Sequence, residues 1–257
     1  MLVRLGGDRS PTRAWHRQHQ PDARTRTTAV PPGLYRAGVP ALERFIPADR
    51  AVERISRCVF GLFLFGVGIA LLIDAELGAA PWDVFHTGVS ELTGIGVGNV
   101  IVLTGVALLL LWIPLREQPG LGTILNALLI GVFVDLTSPF LPDTDLLVAR
   151  SVMMIAGIVL IGIGSGFYIG AGLGPGPRDG LMTGLAKRSF GSRRVSIGAA
   201  RTFVEISVLL IGIALGGAVG IGTAAFTFGI GPLVQIFLPP LTMAPPSPTR
   251  AAPALRR

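Results

Sequence analysis

Leu77-Gly78-Ala79-Ala80-Pro81-Trp82-Asp83, running on to Thr87-Gly88, is answered by Leu173-Gly174-Pro175-Gly176-Pro177-Arg178-Asp179, running on to Thr183-Gly184. The displacement between them also lays Gly61 on Gly157, Gly66 on Gly162 and Gly68 on Gly164, and over residues 61–88 it gives twelve identities. A chain this rich in Gly and Leu yields about three by chance. The chain is therefore an internal duplication with a G-x-x-P-x-D turn at the same place in each half. A second block repeats as well: Gly120-Leu121-Gly122-Thr123 matches Gly220-Ile221-Gly222-Thr223, and Gly131 matches Gly231.

The apolar segments around these turns set the class. Half of the 257 residues are apolar and 14% are charged, with a mean hydropathy of +0.64. A soluble domain carries roughly a quarter of charged residues. The charges crowd into the N-terminal tail and a few short connections, leaving runs long enough to cross a bilayer core of about 30 Å. Six spans are expected, at about 55–73, 96–114, 121–141, 150–171, 195–216 and 219–238. The stretches 81–94 and 177–190 are too polar to span; each reads as a short interfacial or re-entrant helix opening at its proline.

Charge sets the orientation. Arg44, Arg50, Arg54 and Arg57 precede the first span, and the next connection holds Asp74, Glu76, Asp83 and Glu91 without a basic residue. Arg116 sits in the turn between the second and third spans, Asp143 and Asp145 follow the third span, and Arg178, Lys187, Arg188, Arg193 and Arg194 fill the connection after the fourth. This alternation predicts cytoplasmic termini; Arg150 alone dissents. Three spans per half is an odd number, so the second half is expected upside down relative to the first. The turn at Asp83 would then face outside and the turn at Asp179 the cytoplasm.

The expected fold is all-α: a polytopic membrane protein of six transmembrane helices in two inverted three-helix repeats, residues 51–145 and 146–238. Residues 1–50 and 239–257 read as disordered basic and proline-rich tails. No apolar run follows Met1, so no signal peptide is expected. The +7 charge is that of cytoplasmic tails and loops, not of a nucleic-acid binder.

At these motifs the chain resembles the YczE-like family of bacterial membrane proteins, related to the YitT-type proteins. The matching pieces are Gly78-x-x-Pro81-Trp82-Asp83, Pro119-Gly120-x-Gly122-Thr123, Gly174-x-Gly176-Pro177-Arg178-Asp179-Gly180-Leu181-Met182, Leu215-Gly216-Gly217-x-x-Gly220-Ile221-Gly222-Thr223 and Gly231-Pro232. The resemblance covers roughly 55–238. It implies an integral protein of the bacterial inner membrane and carries no substrate or catalytic residue with it.

Candidate pathway residues come from the chain itself. Glu205 falls near the middle of the fifth expected span, with Arg201 one turn earlier on the same face. Intramembrane carboxylates mark proton and ion pathways, or form ion pairs that fix helix packing. Asp83 and Asp179 follow the helix-opening prolines, where a carboxylate caps a helix start or stands at the gate of a pathway. Arg178 could meet an anionic headgroup or substrate, and its counterpart Trp82 suits an interfacial anchor. Asn126 reads as an interhelical hydrogen-bond donor or a ligand contact, Thr123 and Thr223 as caps, and Gly162-x3-Gly166-x3-Gly170 as a close-packing ridge.

Other chemistry finds no support. Cys58 is the only cysteine, so no disulfide forms within the chain, and His86 has no ligand partner in sequence. The Gly170–Gly176 run follows a spanning helix rather than a strand and is no phosphate loop. Neither a cofactor nor an enzymatic activity is expected. The function expected is gradient-driven transport of a small solute or ion; the rival is a non-transporting scaffold for another enzyme system. The bilayer is the expected partner, and self-association stays open.

Overall fold

A computed structural model describes residues 49–187, 189–190, 193–194 and 196–244, together with Phe45, all within one compact unit. Most of the two expected tails lies outside the described residues. Eight α-helices follow in order: α1 Ala51–Asp74, α2 Pro81–Thr93, α3 Val97–Leu115, α4 Leu121–Thr137, α5 Leu147–Gly170, α6 Pro177–Lys187, α7 Ile197–Ala214 and α8 Ile221–Leu241. A 3-10 turn, Ser138–Phe140, extends α4, and Ser189–Phe190 pairs antiparallel with Arg193–Arg194.

The protein is helical and built for a membrane. Among the described residues five helices are long and apolar enough to cross one: α1, α3, α4 with its 3-10 turn, α5 and α8. Helix α7 covers 18 residues, or about 27 Å at 1.5 Å per residue, and is not among the five. The short helices α2 and α6 open at Pro81 and Pro177 as the sequence predicts, because proline has no amide to leave unpaired at a helix start. Two ends differ from expectation. Helix α6 stops at Lys187, giving way to the two-residue strand pair. Helix α8 runs through Pro239 and Pro240 to Leu241, and at its end Thr242 Oγ1 donates to the Leu238 carbonyl at 2.7 Å, one of the last carbonyls a helix leaves without an intrahelical partner.

The centre of the fold is an antiparallel crossing of α1 and α5. A Cβ on Gly61 would stand 2.7 Å from the Gly164 carbonyl oxygen, and one on Gly68 2.7 Å from that of Gly157. These are reciprocal contacts, since Gly61 and Gly68 are the repeat counterparts of Gly157 and Gly164. Small residues let the backbones approach this closely. The reciprocity extends outward. Gly66 meets Phe133 of α4, and Gly162 meets Leu233 of α8. The Gly162, Gly166 and Gly170 ridge lies against α8 at Leu233, Phe237 and Leu241.

Arg150 now has a structural reason. Its Nε donates to the Ala75 carbonyl at 2.7 Å and its Nη2 to Glu76 at 2.9 Å. Arg54, 96 residues earlier, donates from Nη1 to the Ala171 carbonyl at 2.8 Å. Each arginine caps the C-terminal end of the antiparallel partner helix, where the helix dipole favours a cation. Arg150 is retained as the repeat image of Arg54, whatever the charge rule prefers at that position.

Candidate functional site

The two G-x-x-P-x-D turns share one geometry. Gly78 and Gly174 adopt φ of 104° and 123°, a region that favours glycine, and each turn leans on the opposite half. The Gly222 amide donates to the Leu77 carbonyl at 2.7 Å, and the Gly122 amide to the Leu173 carbonyl at 2.8 Å. Thr123 and Thr223 accept from the amides of Gly120 and Gly220 at 3.1 and 3.3 Å, so both threonines serve as caps. Thus α4 and α8 each begin against the turn of the other repeat.

From these anchors the chain leads to the starts of α2 and α6, which meet each other. Arg178 Cζ stands 5.0 Å from the centre of the Trp82 ring, a cation–π distance. The two are counterparts, so the same position of both repeats meets across the interface. The turns leave α1 and α5 at opposite ends of this antiparallel pair, beside Arg150 at Ala75 and beside Arg54 at Ala171, and only the starts of the short helices converge between the halves. The reading of Trp82 as an interfacial anchor is corrected, for its side chain is buried at 6% exposure.

Asp83 lies at the centre of the meeting. Its Oδ1 is 3.1 Å from His86 Nδ1 and 3.9 Å from Arg178 Nη2, and both Asp83 and His86 are 1% exposed. Its carboxylate thus binds a side chain and not the amides of its own first turn, so the capping role expected of it is not the one seen. His86 Nε2 and Trp82 Nε1 are buried with no hydrogen-bond partner among the described residues. Burial pulls the His86 imidazole below its ordinary value of 6.5, while the bond to Asp83 opposes this, so the ring is neutral at pH 7.

Asp179, the counterpart of Asp83, accepts a hydrogen bond from the Tyr168 hydroxyl at 3.3 Å. Burial raises its carboxyl above 3.8, against the pull of Arg201, Tyr168 and Arg178. Gly176 floors this part of the site: a Cβ there would stand 3.1 Å from the Tyr168 hydroxyl, 3.4 Å from Asp179 Oδ2 and 3.5 Å from Asn126 Nδ2. Among the described residues Asn126 shows no interhelical hydrogen bond, and its side-chain nitrogen lies over Gly176.

Glu205 and Arg201 do pair, Nε to Oε1 at 3.0 Å, with side-chain exposures of 30% and 56%. They do not join Asp83; they sit on the flank of α7, with Arg201 close enough for its charge to act on Asp179. The structure therefore gathers Asp83, Arg178, Asp179 and Asn126 and leaves Arg201 and Glu205 at the edge. Sequence reasoning missed His86 and Tyr168. His86 had a signal, since it stands three residues after Asp83 on one helix and so shares its face. Tyr168 had none, its repeat counterpart being Leu72. Among the described residues no group of three or more His, Cys, Asp and Glu side chains could hold a metal ion.

Residues 52–239 match the model of a family of unknown function, DUF6198. A protein of Haemophilus influenzae described as uncharacterized is 39% identical over 72% of this chain and 84% of its own length. The uncharacterized membrane protein YczE of Bacillus subtilis is 34% identical over 70% of this chain and 82% of its own. YyaS of the same organism is 31% identical over 70% and 89%. No solved structure matches. With the family model covering nearly all of the helical region, and relatives above 30% identity aligned over most of their length, the chain belongs to the DUF6198 family, the YczE-like group of membrane proteins.

Proposed function

We propose that the protein is a secondary transporter or exporter of a small solute, coupled to a proton or ion gradient, and not an enzyme. In this reading α7 is the sixth span and the two repeats are inverted. Both termini are cytoplasmic, and the chain is a multi-pass protein of the inner cell membrane. The observation that carries it is the meeting of Trp82-Asp83 with Arg178-Asp179 between the halves. Discontinuous helices whose starts converge on buried charges between repeats are the plan of secondary transporters. A packing scaffold has no need of ionisable groups there, since apolar residues of similar volume serve stability as well or better.

In this reading the contact of Asp83 with Arg178 is the coupling device. Asp83 belongs to the first half and Arg178 to the second, so any rocking about the α1–α5 crossing changes their separation. At 3.9 Å their attraction is about 4 kcal/mol with an effective dielectric of 20. The Arg178 charge disfavours a proton on His86, so its withdrawal favours that proton and its return expels it. A solute held between the halves and a proton held on His86 would thus bias the same two states.

Proteoliposomes enclosing a pH-sensitive dye test the reading. Deproteinised bacterial extract added outside is expected to drive proton movement in wild type. Asp83→Asn and Glu205→Gln, inserted and folded, are expected to abolish it. An inert wild type under gradients of either direction would refute transport and leave the scaffold.

A further inference from the structure

The two halves are not packed alike. In the first, α3 and α4 close backbone to backbone, Gly98 and Val102 against Gly131, and a Cβ on Gly105 would stand 3.0 Å from Ala127. The Gly98 amide donates to Asp135 Oδ1 at 2.9 Å. The displacement that matches Gly131 to Gly231 carries this seam onto Gly198, Thr202 and Glu205 of α7 and onto Thr227, Gly231 and Gln235 of α8. There it is open. Among the described residues nothing lies within 4 Å of where a Cβ would stand on Gly198 or Gly231, and Thr202, Thr227 and Gln235 are exposed.

The open seam is also polar where its counterpart is apolar. Glu205 replaces Gly105, Thr227 replaces Ala127 and Thr202 replaces Val102. Lipid does not cover such a surface without leaving polar groups unsatisfied in hydrocarbon. Nor can α7 and α8 zip together as α3 and α4 do, because a carboxylate side chain stands where the contact needs a glycine.

We propose, resting on the transporter reading, that the seam between α7 and α8 is the solute-binding groove and that it takes a small zwitterion, with an ammonium and an acid group on neighbouring atoms. The Arg201–Glu205 pair uses Nε and Oε1 on itself. Glu205 Oε2 and the two terminal nitrogens of Arg201 make no hydrogen bond among the described residues. They are what an ammonium and an acid group require, the planar guanidinium binding the acid through two parallel bonds. The pair is neutral, so a neutral zwitterion adds no net charge to the membrane interior. Gln235, in the place of Asp135, supplies a carbonyl that can accept from the Gly198 amide when the groove closes over its cargo, as Asp135 does for Gly98. With cytoplasmic termini, α7 begins and α8 ends on the inner side, so the groove opens inward.

The test labels Gly231→Cys protein in nanodiscs with a maleimide; the native Cys58 is fully buried, and Thr227→Cys is a second reporter should the first not fold. L-alanine is expected to slow labelling about fivefold or more near saturation, while ethylamine and propionate leave it unchanged. Glu205→Gln and Arg201→Gln are each expected to remove the protection. Phosphatidylethanolamine shares the ammonium-plus-acid chemistry, so the measurement is made in phosphatidylcholine alone and with phosphatidylethanolamine added. Protection by alanine in phosphatidylcholine alone supports the free solute; protection by the ethanolamine lipid only overturns it. No protection by alanine, with extract-driven proton movement intact, overturns the groove and leaves transport standing. Protection by alanine with no proton movement keeps the groove and removes transport.

Discussion

Adding one methyl group at Gly131 and at Gly231 compares the two halves directly. At Gly131 the new Cβ would run into the Gly98 carbonyl oxygen and stand 2.8 Å from Val102 Cγ2. A backbone atom cannot move aside as a side-chain tip can, so overpacking of about 2–3 kcal/mol is expected. Against this stands the helix preference for alanine over glycine, about 0.8–1 kcal/mol. The net loss is about 1–2 kcal/mol, and Gly131→Ala is expected to melt about 2–8 °C below wild type. At Gly231 the Cβ meets nothing within 4 Å among the described residues, so only the propensity gain remains and Gly231→Ala is expected to melt about 2–4 °C higher. The assay is thermal unfolding of purified protein in one detergent, read by tryptophan fluorescence. Equal losses at both positions would refute the reasoning, because they would mean that α7 and α8 pack as closely as α3 and α4.

Further outcomes follow from the capping arginines and the buried cluster. Arg54→Met, which deprives the carbonyls of Ala171 and Ala244 of donors at 2.8 and 2.7 Å, is expected to cost about 3 kcal/mol or more, against about 1–2 for Arg150→Met, whose partner Glu76 is exposed; melting in detergent ranks the two. Because burial lowers the His86 value below 6.5, the unfolded chain binds a proton more readily than the folded one. The stability from neutral His86 is therefore complete above pH 6.5 and declines as pH falls from there toward the lowered value; melting against pH should show this slope in wild type and lose it in His86→Gln. Trp82→Leu removes a cation–π contact worth about 1–2 kcal/mol when desolvated, and quenching of the remaining tryptophans should report a more mobile Arg178 region while α1 and α5 stay packed. Gly180→Ala would drive a Cβ into the Trp112 ring, so it should lower the yield of folded protein in membrane extracts more than Gly198→Ala does.

The chain's own order of residues settles the parts that depend on neighbours a few positions apart. Apolar runs of bilayer length, prolines at Pro81 and Pro177 that start helices, and a displacement of 96 residues that recovers glycine after glycine are all local or self-referential signals. They sufficed for membrane helices, the short helices α2 and α6, and the twofold duplication. What happens between copies is decided by contacts across about 100 residues. Arg178 reaches Trp82 and Asp83 from the other repeat, and the turns that carry these residues are tied to the opposite half through Leu77 to Gly222 and Leu173 to Gly122. No periodicity encodes that meeting, because it depends on how the two repeats pack against each other. The same holds for the α7–α8 seam. Its polar residues are visible in sequence, but whether two helices touch or stand apart is a property of their packing alone.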